Sequence, residues 1–189
     1  MSGNSSLRGL LVAISLCVIS VLIYKFFIEK NDEFLLDNPT EDTINVIFNG
    51  ENYLLASGQT LKVSVHQGKN TISSVSGKDG KAILKDTFFT LEKTNRGLIN
   101  PTGSTYYTFR RYYGHIKNID SLYKANKTII GGKEYVGEIK EYKDLVLQDF
   151  YFNVNEDFPK VINKVDTMES RVKLFRKTQF LEFYQSTFE

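Results

Sequence analysis

The sequence predicts a mainly β fold, an antiparallel sandwich or barrel-like module with one or two C-terminal helices, preceded by a single transmembrane helix. Three observations carry this. Apolar residues recur with period two from Ile44 onward, between turns rich in Asx-Gly and glycine. Residues 9–24, GLLVAISLCVISVLIY, hold no charge. After Pro159 the apolar spacing changes, which predicts helix near the C-terminal end.

Composition narrows the class. The chain has 189 residues, is 41% hydrophobic and carries Lys+Arg 24 against Asp+Glu 22, a net charge of +2. That balance excludes a disordered chain and a basic nucleic-acid-binding tail, and no nucleic-acid partner is expected. One cysteine, Cys17, excludes an internal disulfide and a multi-cysteine zinc module.

Residues 1–8 read as a short arm and residues 9–28 as an uncleaved transmembrane signal anchor, which would bring the bilayer in as a partner. Counted to Ile28 the apolar stretch reaches about 30 Å as a helix, the depth of a hydrocarbon core. Lys25 falls near its end, where the stem can lie along apolar surface while the ammonium reaches the headgroups. A cleaved signal peptide would need small residues after the apolar run, and Tyr24-Lys25-Phe26-Phe27 offers none. Leu16 before Cys17 disfavours a lipidated cysteine. Charges on the two flanks nearly balance, so the short arm sets the expected orientation, N-terminus cytoplasmic and the C-terminal bulk periplasmic or extracellular.

Residues 29–43, EKNDEFLLDNPTEDT, hold six acids and one lysine and read as a solvated acidic tether with a turn at Asn38-Pro39. Residues 44–189 then form one β-rich extracytoplasmic domain. Ile44, Val46 and Phe48 alternate up to Asn49-Gly50, the strongest short hairpin signal. Leu61, Val63 and Val65 form the next half-buried strand. Turns at Gln67-Gly68 and at Gly77-Lys78-Asp79-Gly80 follow, with a bulge or corner at Asp86-Thr87.

The segment NVIFNGENYLLASGQTLKVSVHQGKNTISSV resembles the small PEGA-type β-modules of cell envelopes over residues 46–75, in its pattern of hydrophobic run, Asx-Gly, strand and glycine turn. The resemblance implies an extracytoplasmic β-sandwich that binds or braces, and it brings no catalytic residues.

Further on, YYTFRRYY reads as a strand with Tyr107, Phe109 and Tyr113 on one side and Tyr106, Arg110 and Tyr112 on the other. KEYVGEIKEY and DLVLQDFYF read as two strands around Lys143-Asp144. For the C-terminal part, one alternative is a single amphipathic helix through Val161, Val165, Met168, Val172 and Phe175. The favoured one is a helix ending near Met168, a strand SRVKLFRK, and a short helix capped by Thr178.

Chemistry is sparse. His66 and His115 lie apart in the sequence and read as exposed bystanders. GKDGK has the glycines of a phosphate loop but no following helix, so a hairpin turn explains it. Glu138, Glu141, Asp144 and Asp149 could pair across strands as glycosidase carboxylates do, but Lys140 and Lys143 intervene. No motif calls for a metal or cofactor, and no catalytic residue is assigned. The candidate partner interface is Tyr106, Tyr107, Arg110, Arg111, Tyr112 and Tyr113, the composition enriched at protein interfaces. Together these features lead to an expected non-catalytic binding or assembly module, anchored in a bacterial-type envelope, with a protein partner. A membrane-held immunity or inhibitor protein is the alternative, and an envelope hydrolase a third.

Overall fold

The computed structural model describes residues 5–23, 34–114, 118–160 and 168–189. They belong to two compact units, residues 1–32 and 33–189. The first unit holds one helix, α1 (Ser5–Ile23). Its described side chains, 9–23, are all exposed, so no stripe is reserved for a core. The Ser15 and Ser20 hydroxyls donate to the carbonyls of Leu11 and Leu16, each at 2.9 Å. Among the described residues no helix is long and apolar enough to cross a membrane. Residues 24–28, which the expected span includes, lie outside the described residues.

In chain order the second unit contains β1 (Phe34–Asp37), β2 (Ile44–Phe48), β3 (Glu51–Leu55), β4 (Thr60–Val63), β5 (Gly68–Gly77), β6 (Ala82–Leu91), β7 (Gly97–Ile99) and β8 (Tyr106–Tyr113). It continues with α2 (Ile119–Lys124), β9 (Lys127–Ile130), β10 (Lys133–Val136), β11 (Ile139–Tyr142), β12 (Val146–Leu147), β13 (Glu169–Arg176) and α3 (Lys177–Phe188). The main sheets run in the orders β3-β2-β5-β6, β12-β7-β1-β4 and β11-β8-β13, with β9 and β10 as a separate hairpin. All pairings between these strands are antiparallel except β1 with β7.

The β2–β3 hairpin closes as its residues dictate. Asn49 and Gly50 both have positive φ, 49° and 83°, the two-residue turn that matches strand twist. Ile44, Val46 and Phe48 then point inward and pack with Leu55, Ile72 and Val75 against Phe34, Leu36, Val63 and Ile99 of the middle sheet. On the other face of that sheet, Leu98 and Leu147 pack with Tyr106 and Leu174 of the third sheet. The far face of the third sheet carries Tyr107, Phe109 and Phe175, covered by Phe180 and Tyr184 of α3 and by Ile130 and Tyr135 of the β9–β10 hairpin. The second unit is thus four layers deep, and the middle sheet is sandwiched on both sides.

This corrects the tether. Residues 34–37 are not solvated; all four are buried, as β1. A strand covered on both faces reads as a continuous apolar run rather than an alternating one, and Phe34-Leu35-Leu36 is such a run hidden among acids. Asp37 is 0% exposed. The Arg176 guanidinium grips it with Nη2 at 2.5 Å and Nε at 3.0 Å, and the Tyr106 hydroxyl donates to it at 2.5 Å. Residues 29–33 of the tether lie outside the described residues.

Asn38-Pro39-Thr40 follows β1, and Asn100-Pro101-Thr102 follows its parallel neighbour β7. Each asparagine is buried and knits a loop. Asn38 donates to the carbonyls of Asp42, Leu55 and Ala56, and Asn100 to those of Ser104 and Asp144. Their side-chain oxygens accept from Thr40 and Thr102. The sequence predicts only a turn at Asn38-Pro39.

Other expectations change in detail. KEYVGEIKEY is not one strand: it breaks at Gly137, where a Cβ would lie 2.7 Å from the Phe109 ring. Its halves pair with β9 and β8. The strand expected through Val65 ends at Val63. Asp86 has a φ of 45°, the local kink expected there. The C-terminal part follows the strand-then-helix alternative, but the helix is capped at Arg176 rather than Thr178, with the Arg176 amide donating to the Gln179 side chain at 3.1 Å. The helix expected to end near Met168 falls largely on residues 161–167, outside the described residues.

Asp37→Ala strands a guanidinium among apolar layers, and breaking a buried pair in this way costs about 3–5 kcal/mol. Equilibrium chemical denaturation should register a loss of that order, and replacing both partners, Asp37→Leu with Arg176→Met, should recover part of it.

Candidate functional site

The third sheet extends past the middle sheet that covers it. On β8 the even-numbered side chains face the middle layer: Tyr106 is sealed in and Thr108 is buried, but Arg110 and Tyr112 are only half-buried. Where the cover ends, a polar cleft of about 230 Å³ opens on the sheet. Thr108 and Val172 line it together with Arg110, Glu138, Lys140, Tyr142 and Asp149. Strand alternation explains the set, because Lys140 and Tyr142 of β11 pair directly with Thr108 and Tyr106 and so share their face.

Part of the charge in the cleft is already satisfied. Arg110 Nε lies 2.8 Å from Glu138, and its Nη1 donates to the Ser170 hydroxyl at 3.0 Å. The Tyr112 hydroxyl donates to the same Glu138 carboxylate at 3.1 Å. Burial, reinforced by that carboxylate, pushes the Tyr112 hydroxyl above its ordinary pKa. Lys140 and Asp149 make no ion pair among the described residues. A fixed Arg–Glu pair therefore stands beside one free cation and one free anion. Asp149 and Val172 also line a second, adjoining depression of about 300 Å³, with Ser170, Arg171 and Tyr151. There the Arg171 guanidinium sits 5.1 Å from the centre of the Tyr151 ring.

The six residues expected at a partner interface divide. Tyr106, Tyr107 and Tyr113 are buried and have little surface to offer a partner. Tyr107 packs in the aromatic layer with its ring centre 5.0 Å from that of Phe180, and Tyr113 donates to the Pro159 carbonyl. Arg110, Arg111 and Tyr112 are half-buried, and only Arg110 lines the cleft. The division of β8 into two faces is as the alternation predicts, but both faces are covered over much of their length.

The expected acidic candidates disperse. Glu138 is held by Arg110, whereas Glu141 projects to the opposite face, bonded to Lys143 and to the Tyr107 hydroxyl. Its carboxyl is held below the usual range, first by the Lys143 hydrogen bond. GKDGK is the β5–β6 turn, with Gly80 donating to Gly77. His66 is exposed and bonds the Lys69 carbonyl at 2.7 Å, away from the cleft-lining residues. His115 lies outside the described residues. Among the described residues no group of three His, Cys, Asp or Glu could hold a metal ion. The cleft is not legible in the sequence, where Lys140 and Asp149 read as solvated strand charges. The usable signal was the two-residue step from Glu138 to Lys140 to Tyr142, legible once those residues are known to run along β8.

No family model matches the chain, and neither the curated proteins nor the solved structures give a significant match.

Burial, then the charge of Glu141, pushes the Tyr107 hydroxyl up to about 12. Burial likewise raises Tyr106 and Tyr113. Each acid is neutral in the fold at pH values where the unfolded chain, titrating near 10, has released its proton. The native state then binds more protons, so stability is intact below about pH 10 and falls as pH rises above it. An ultraviolet titration of tyrosinate should show late ionisation that coincides with loss of β-sheet circular dichroism.

Proposed function

We propose that the protein is a membrane-anchored, non-catalytic binding or assembly module whose β-rich unit stands outside the cytoplasm of a bacterial-type envelope. The observation that carries this reading is α1: a helix apolar on every described face, in a unit of its own, with the Ser15 and Ser20 hydroxyls bonded to its own backbone. Such a helix belongs in lipid or in a large core, and the second unit builds its core from its own layers. The described part of α1 is shorter than a bilayer core; after Lys25 the sequence is apolar again in Phe26, Phe27 and Ile28. The resemblance of residues 46–75 to PEGA-type modules supports an envelope setting.

The cleft on the third sheet supplies the binding surface. Its Arg110–Glu138 pair is preformed, so a partner need not order those side chains, while Lys140 and Asp149 stay open to opposite charges on it. Free charges of both signs select for a partner segment with its own acid and base, and they steer and register it rather than transform it.

Removing residues 1–28 should move the protein from the membrane fraction to the soluble fraction with its β-sheet circular dichroism intact. A truncated chain that stays with the membrane, or unfolds, defeats the anchor. In intact cells, swapping the open charges by Lys140→Glu and Asp149→Lys should reduce crosslinking to the partner several-fold at unchanged thermal stability. Undiminished crosslinking would place the partner elsewhere.

A further inference from the structure

The strand β6 is the outer member of its sheet. β5 pairs along one side of it, and among the described residues no strand pairs along the other. It is ten residues long, as long as β5. Edges of that length are ready templates for another chain, and native proteins shorten, charge or cover them. Here two large apolar side chains are left in the open on the edge strand, Ile83 at 47% and Phe88 at 61% exposure.

The charges on and beside β6 are ordered along it. Lys81 lies just before its start and Glu92 just past its end, while Lys85 and Asp86 adjoin at its centre. None of the four makes an ion pair among the described residues. Further out the signs invert on both sides, with Asp79 in the preceding turn and Lys93 past the end. A second copy laid parallel would set lysine on lysine and acid on acid. Laid antiparallel about its centre, Lys81 of one copy comes to Glu92 of the other, Asp79 approaches Lys93, Lys85 comes beside Asp86, and Ile83 comes to the Phe88 end.

We infer that β6 is a dimer seam, at which a second copy of this chain adds its own β6 antiparallel across a two-fold axis and joins the two four-stranded sheets into one. Such a contact is isologous and closes on itself, so the long edge is consumed rather than left to propagate. The seam names one partner for the assembly reading and rests on that reading for its use. It lies on a different sheet from the cleft.

The test is the oligomeric state of the purified full chain in detergent, by sedimentation velocity and native mass spectrometry. The wild-type protein should be a dimer. Lys81→Glu with Lys85→Glu makes all four positions acidic, and Asp86→Asn with Glu92→Lys leaves only basic charges among them while keeping a residue that tolerates the left-handed backbone. Each variant alone should be monomeric, with unchanged circular dichroism, and an equal mixture of the two should restore a heterodimer. Phe88→Lys, on an exposed position, should weaken the dimer by about tenfold or more. A monomeric wild type overturns the inference. So does either charge variant that remains dimeric, which would assign association to α1 or another face, and so does a mixture that fails to pair. Loss of the dimer in the variants leaves membrane fractionation and crosslinking through the cleft as separate readouts.

Discussion

The buried carboxylate of Asp37 governs how the layers meet. It sits at the end of β1 in the middle sheet, while its partners Tyr106 and Arg176 belong to the third sheet, Arg176 at the junction of β13 and α3. An unpaired carboxylate there would be untenable in so dry a place. The bidentate guanidinium and the tyrosine hydroxyl admit few relative positions of the two sheets. A purely apolar interface would bind the layers as tightly but would tolerate sliding, so the charge contributes register more than strength. With register fixed, Leu98 and Leu147 cover Tyr106 and Leu174, and α3 starts where Phe180 and Tyr184 can close the far side.

The same constraint explains what the residues disclose and what they conceal. Strands with one solvated face announce themselves, and Ile44-Val46-Phe48 with Asn49-Gly50 is legible to the residue. β1 and β7 lie between two layers and show no alternation, only two or three apolar residues each. One is wrapped in acids and the other in glycine, asparagine and proline, so both read as connection. Tertiary pairing between Asp37 and Arg176 spans most of the chain, and no local pattern can report it. The C-terminal strand was readable from the crowding of β-branched and aromatic residues in Arg171–Arg176 because local propensity and final structure agree there.

The candidate site is a consequence of unequal layers. The middle sheet covers the Tyr106 end of β8 and stops, so Arg110 and Tyr112 alternate in step with Tyr106 yet meet solvent and each other's partners instead of a core. A strand that carries Tyr-Tyr-Thr-Phe-Arg-Arg-Tyr-Tyr therefore changes role along its length, core at one end and cleft wall at the other. Composition marked the strand as an interface, but it could not show which residues the layers would take for themselves.

Net charge proved a poor guide to the surface, and the reason is physical. Most of the charges near the core are spent internally: Arg176 on Asp37, Arg96 on Glu156, Arg110 on Glu138, Arg171 on Glu169. Such pairs contribute little to the field a partner meets beyond a Debye length of about 8 Å. Among the charges without an ion pair in the described residues are two sets, Lys140 with Asp149 at the cleft and Lys81, Lys85, Asp86 and Glu92 along β6. Each of these sums to near zero, so neither would be noticed in a charge count, and each is ordered in space. Ordered charge of zero sum attracts only a surface with the matching order, which separates recognition of one partner from general stickiness toward anything acidic or basic.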